Sequence, residues 1–167
     1  MSDFTDELAL QIPRLRRYAR ALTHDVDWAD DLVQDTLERA LRRRWLFRIN
    51  SNLTAWLFTM LYRLYLNGAT RRRMIVATVE VAETAAPGDV GLRLDMERAM
   101  AVLSPEHRAV IVLVGLEQLS YKEAAEVLNV PLGTVMSRLT RARRQLRALL
   151  AGRPAAKDST AHLTLVK

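Results

Sequence analysis

A chain of 167 residues has room for one domain or two small ones. It has no cysteine, which excludes a disulfide framework and a thiolate metal centre, and its three histidines lack metal-ligand spacing, so no metal or other cofactor is expected. The formal charge is +6, from 25 Lys+Arg against 19 Asp+Glu, and only three of the 25 are lysine, which favours the side chain suited to bidentate contacts with phosphate and guanine.

The apolar runs fall far short of a membrane span and no signal peptide opens the chain, so a cytoplasmic protein without membrane insertion is expected. In chain order, Leu15, Tyr18, Ala19 and Leu22 make a first helical stripe, with Pro13 starting or kinking it. A second helix follows in "THDVDWADDLVQDTLERALRRR". Its inner face is Trp28, Leu32, Val33, Thr36, Leu37, Ala40 and Leu41. Asp25, Asp27, Asp30, Asp31 and Asp35 crowd its N-terminal half, and Arg39, Arg42, Arg43 and Arg44 its C-terminal end. That order suits the helix dipole, but two or three charges would serve it. Five aspartates in eleven residues also make an acidic face, fit for a basic protein partner.

"WLFRINSNLTAWLFTMLYRLY" then holds six of the ten aromatics: Trp45, Phe47, Trp56, Phe58, Tyr62 and Tyr65. A helix core accounts for such residues, for Trp45 and Phe58 above all. Aromatics interleaved with amides ("INSN", Asn67) and followed by Arg71, Arg72 and Arg73 also suit the holding of unstacked bases.

The formal charge dips to −2 over residues 76–94, where "ATVEVAETAAPGDVG" has no lasting periodicity and carries Pro87, Gly88 and Gly91. This reads as a flexible linker over 76–91 between a helical domain, 1–75, and a second, 92–152, with a disordered tail expected over 153–167. In the second domain Leu92, Met96, Ala99, Met100 and Leu103 form one stripe. Ser104-Pro105-Glu106 starts another helix, roughly His107 to Leu116, burying Val110, Ile111, Leu113 and Val114. "EQL" turns the chain. His107 is a surface residue in this reading.

"SYKEAAEVLNVPLGTVMSRLTRARRQLRALL" completes the domain. Ser120 and Glu123 fit a capping box, and Ala124, Ala125 and Leu128 share a face, with Ala125 at the close approach of two steeply crossing helices. Asn129 suits a helix end and Pro131 the opening of the next helix, which Thr134 and Val135 start and Val135, Leu139, Ala142 and Leu146 anchor. Its five arginines lie on the second helix of a helix-turn-helix, which would enter the DNA major groove. An ordinary helical hairpin with a solvated basic face is the bland alternative. There is no nucleophile–base pair, phosphate-binding glycine loop or metal cluster, so no enzyme activity is expected.

"RLRRYARALTHDVDWADDLVQDTLERAL", "NLTAWLFTMLYRLYLN" and "LSPEHRAVIVLVGLEQLSYKEAAEVLNVPLGTVMSRLTRARRQLR" together resemble an extracytoplasmic-function (ECF) sigma factor of bacterial RNA polymerase, closest to the general-stress branch. The resemblance implies an all-α fold of two small domains, sigma2 and sigma4. It implies a transcription initiation factor that binds core polymerase and directs it to promoters. Asp30, Asp31, Gln34, Asp35 and Glu38 would grip the beta-prime clamp helices, and the sigma4 surface would dock on the beta flap. The loop Phe47 to Thr54, with Asn50, Ser51 and Asn52, would capture a flipped minus-ten base. Trp56, Tyr62 and Arg63 would lie along the same strand, and Arg71, Arg72 and Arg73 on phosphate. Thr134, Met136, Ser137, Thr140 and Arg141 would read the minus-thirty-five duplex, with Arg138, Arg143 and Arg144 on its phosphates. An anti-sigma protein is an expected partner. The chain departs from the family at Arg63, where asparagine is common. It also has no glycine from Met1 to Asn67, whereas the family usually has one near Ile49. The alternative is a helix-turn-helix regulator that binds duplex DNA without polymerase.

Overall fold

The computed structural model describes residues 3–76 and 91–152 and, within them, the side chains of 3–73 and 95–152. The described residues form helices and no strands: α1 (Phe4–Thr23), α2 (Val26–Arg42), a 3-10 turn (Arg44–Leu46), α3 (Leu53–Val76), α4 (Gly91–Val102), α5 (Pro105–Val110), a π-helical turn (Ile111–Leu116), α6 (Tyr121–Leu128) and α7 (Leu132–Leu150). The middle of the expected linker and the tail from residue 153 lie outside the described residues.

Local chemistry sets these boundaries. Pro13 lies inside α1, not at its start; the helix tolerates the loss of one backbone donor and continues. His24 closes α1 in the left-handed conformation (φ 50°), and one residue later the Asp25 carboxylate caps α2 by accepting from the Trp28 N–H at 3.0 Å. In the first domain α1, α2 and α3 pack pairwise. Leu15, Tyr18 and Leu22 of α1 meet Leu32, Val33 and Ala40 of α2 and Leu57, Phe58 and Leu61 of α3. Tyr18 lies against Phe58 with ring centroids 4.9 Å apart. Each fully buried side chain of this size stabilises by about 1.5–3 kcal/mol. Two expected core residues lie outside. Leu41 is 44% exposed, about 100° around α2 from the buried Ala40, and Trp45 is 76% exposed because α2 stops at Arg42 and the 3-10 turn takes the chain off its helical register.

In the second domain the Ser104 hydroxyl accepts from the His107 N–H, and both halves of the Ser120–Glu123 capping box form. Asn129 is left-handed (φ 53°), and Pro131 is the N-cap of α7, so that helix begins at Leu132 rather than at Thr134. Val135, Leu139 and Ala142 are buried as expected, but the fully buried alanine of α6 is Ala124, with Ala125 only partly covered. The helix expected from His107 to Leu116 is α5 followed by the π turn, whose wider loop shifts the buried face. Val112 and Leu113 are buried, while Ile111 and Val114 are only partly so.

The two domains pack on each other, and their apolar interiors form one continuous cluster. Helix α3 lies against α6, and α1 lies against α5 and the π turn. That second pair runs antiparallel: Arg108 donates to the Leu22 carbonyl at 3.0 Å, while Glu117 meets Arg14 near the other end.

Candidate nucleic-acid interface

On α2 the side chains facing inward are Leu32, Val33, Thr36 and Ala40, and this fixes what faces out. Asp30, Asp31, Gln34, Asp35 and Glu38 are all exposed on the other side. Asp30 lies 3.9 Å from Arg16, and Glu38 pairs with Arg42 one turn on. Such exposed pairs contribute only about 0–1 kcal/mol, so they hold the stripe weakly and leave it open to a partner. The expected acidic face is therefore assembled by the helix register.

The segment between α2 and α3 is pinned at one side chain and open at the next. Phe47 lies between Phe4 (5.8 Å) and Trp56 (5.3 Å between centroids). Ile49 is 93% exposed and Asn50 is exposed beside it, while the Ser51 hydroxyl donates to the Arg48 carbonyl. Asn52 has two tasks that the sequence did not reveal. Its Oδ1 accepts from the Ala55 N–H at 3.2 Å at the start of α3, and its Nδ2 donates to Glu123 of the second domain at 2.8 Å. This amide and the Ser120 N–H hold the Glu123 carboxyl below its ordinary pKa.

Along α3, Trp56 is half-buried, Arg63 is exposed and Tyr62 is only 6% exposed. The free stacking face expected of Tyr62 is covered here. The ring lies beside Tyr65 at 6.2 Å and near Arg138 and Glu106 of the second domain, and burial pushes its phenol pKa up. Arg71 and Arg73 are exposed, but Arg72 lies 4.1 Å over the Trp28 ring and 3.5 Å from Asp25, so its charge is already engaged at the N-terminus of α2.

On α7 the buried Val135, Leu139 and Ala142 fix the outward face. At 100° per residue, Ser137, Thr140 and Arg144 fall within about 60° of one another opposite that apolar seam. Met136, Arg141 and Arg143 are also exposed, with Arg141 and Arg143 on opposite flanks of Ala142. Thr134 and Arg138 are partly buried, and the Arg138 charge acts on the Tyr62 phenol of the first domain. The Ser137 and Thr140 hydroxyls donate to the Thr134 and Met136 carbonyls, leaving lone pairs as acceptors.

A cluster of charges that sequence reading missed joins the domains. The Glu117 carboxylate, 1% exposed, accepts from Arg14 Nε at 2.6 Å and from Arg17 Nε at 3.1 Å. Arg14 also donates to the Glu117 carbonyl and to the Thr54 hydroxyl, both at 2.9 Å. Arg14 and Arg17 lie 103 and 100 residues from Glu117 in the chain, and no local spacing announces the pairing. Among the described residues no group of side chains could hold a metal ion, and no helix is long and apolar enough to cross a membrane.

Two family models match the chain, "Sigma2 domain of PhyR" over residues 8–62 and "Sigma-70, region 4" over 93–146. The chain is 39% identical over 152 residues to the ECF RNA polymerase sigma factor EcfG of Rhodopseudomonas palustris, covering 87% of this chain and 83% of that one. It is 36% identical over 145 residues to ECF sigma factor SigL of Mycobacterium tuberculosis, covering 81% and 82%. Among solved structures it is similar to the sigma factor RpoE of Bartonella quintana in complex with the anti-sigma factor NepR, with a TM-score of 0.80, 37% identity, and coverage of 90% of this chain and 98% of that one.

Proposed function

This chain belongs to the ECF sigma factors of RNA polymerase, and from that premise we infer how its surfaces divide the work. It is a transcription initiation factor that binds core RNA polymerase and directs it to promoters. The chemistry of RNA synthesis belongs to the polymerase, so the chain is no enzyme in its own right, and it acts in the cytoplasm where the polymerase works.

One observation carries the division of labour: an acidic stripe and a basic reading helix on separate domains of one chain. The α2 stripe docks on the beta-prime clamp helices and the second domain on the beta flap. The outward face of α7, Met136, Ser137 and Thr140 flanked by Arg141, Arg143 and Arg144, enters the minus-thirty-five major groove. Asn50, Ser51 and Asn52, with Phe47 and Trp56 behind them, take the minus-ten strand once it is unpaired, and Arg63, Arg71 and Arg73 hold its phosphates. Tyr62 joins these surfaces only when the second domain moves away from it, and Arg72 only by leaving Trp28 and Asp25 of its own domain. Similarity to a sigma factor solved with NepR supports an anti-sigma protein as the partner that keeps the factor silent. A helix-turn-helix regulator acting alone accounts for α7 but leaves the α2 stripe without a purpose.

The test is co-purification with core polymerase followed by sequencing of the transcripts it initiates. The reading requires a stoichiometric complex and start sites that share two upstream elements. A chain that ignores core polymerase sinks it.

A further inference from the structure

Glu117 fills a site that another anion fits. With the second domain lifted away, Arg14 and Arg17 stand one turn apart on α1, their Nε atoms converging where the two carboxylate oxygens now lie, 2.6 and 3.1 Å away. Arg14 is held from its own domain: its Nη1 donates to Thr54 Oγ1 at 2.9 Å, and that hydroxyl donates to Gln11 Oε1 at 2.7 Å. The edge of the guanidinium left over, Nε and Nη2, is the edge that takes an anion in bidentate fashion. Thr54 follows Asn52 by two residues and precedes Trp56 by two, so this site borders the loop assigned to the unpaired strand.

We propose that Arg14 and Arg17 form a binding site for a backbone phosphate of the unpaired strand, and that Glu117 occupies it as a phosphate mimic when the domains close, so that the chain inhibits itself. The proposal rests on the sigma-factor reading. Closure also ties Asn52 to Glu123 and covers Tyr62, both of which the strand needs. It is incompatible with promoter binding on length alone. The two promoter elements are named for positions about 25 base pairs apart, roughly 85 Å at 3.4 Å per pair, whereas Asn52 and Glu123, one from each reading domain, are 2.8 Å apart. A chain on its promoter is open, and its two arginines have lost Glu117. Phosphate replaces the carboxylate with the same geometry and charge.

Because the chain has no cysteine, dyes placed on the exposed positions by T5C and K122C report the domain separation in the full-length protein. E117Q keeps the shape of the latch and removes its charge. It should lower energy transfer and raise affinity for a fluorescent single-stranded minus-ten oligonucleotide about tenfold or more. R14A/R17A should lower energy transfer equally but gain no affinity, and its log–log salt slope should be shallower than that of E117Q by about 0.7, the value for one phosphate contact on a single strand. A second measurement needs no change at Glu117. The phosphodiester strand should open the parent protein, and a neutral methylphosphonate strand of the same sequence should not. Unchanged energy transfer in a folded E117Q, equal strand affinity of R14A/R17A and E117Q, or equal opening by the two backbones overturns the proposal. Initiation with core polymerase is read on the parent separately: its failure strikes the sigma-factor reading, whereas the dye and oligonucleotide results bear on the latch.

Discussion

Arg141 and Arg143 allow the reading helix to be dissected. Both are exposed and lie on opposite flanks of the buried Ala142, so one cannot substitute for the other. On the proposed assignment, Arg143→Ala removes one phosphate contact from the duplex-bound complex. Each such contact adds about 0.9 to the log–log salt slope on B-DNA. From about 50 to 200 mM salt the parent should therefore lose roughly 3.5-fold more affinity than the variant, whatever the sequence. On the same assignment, Arg141→Ala should remove a base-edge contact worth about 1–3 kcal/mol, or roughly 5- to 150-fold at one base pair, with little change in slope. The assay is fluorescence anisotropy of the polymerase-bound factor on promoter duplexes that carry single substitutions in the upstream element. Circular dichroism should stay unchanged for both, since neither side chain packs in the core. The same sequence-blind loss in both variants would show α7 to be a phosphate clamp and refute the assignment of Arg141.

Charge reversal of Asp31 and Asp35 to arginine should weaken binding to core polymerase, chiefly through the association rate, at unchanged helicity; undiminished binding in a pull-down removes α2 from the docking face. Asn50→Ala should leave closed-complex formation intact and reduce permanganate reactivity of unpaired thymines, and the defect should vanish on a template pre-melted at the minus-ten element. Asn52 is a poorer probe, because its loss also removes the α3 cap, about 1 kcal/mol, and the bond to Glu123. The domain packing should weaken in acid. Partial burial and the neighbouring Arg108 hold the His24 imidazole below its ordinary 6.5, against the smaller opposing pull of the Met100 carbonyl and Glu97. The packed form disfavours the proton, so His24 imposes no penalty well above that value and a growing one as the pH falls below it. Energy transfer between the T5C and K122C dyes should fall between about pH 7.5 and 5.5, and His24→Gln should flatten the change; an equal response in both proteins clears His24.

Local signals in the sequence were sufficient for most of the helices. Ser120 with Glu123, Asn129 and Pro131 specify the corner of the helix-turn-helix through hydrogen bonds and backbone angles that need no distant partner. The α2 stripe follows in the same way from helix period and charge. What escaped was non-local or broke a period. The π turn moved burial to Val112 and swung Glu117 inward, although nothing in "VLVGLEQL" marks a wider turn. Trp45 reads as core by its chemistry yet stands exposed, because the chain had already left the α2 register. The sequence pattern suggests Tyr62, Arg138 and Asn52 as DNA-facing residues, but their burial or bonding depends on how two separate domains meet. That meeting turns on Arg14, Arg17 and Arg108, which as sequence are ordinary arginines in helices.

The most direct test of the account is permanganate footprinting of a duplex promoter with core polymerase alone, with this chain alone and with both together. The account predicts unpaired thymines in the minus-ten region only when both are present, together with a transcript starting just downstream. Protection of a duplex site by the chain alone, with no melting and no transcript when core polymerase is added, would contradict it.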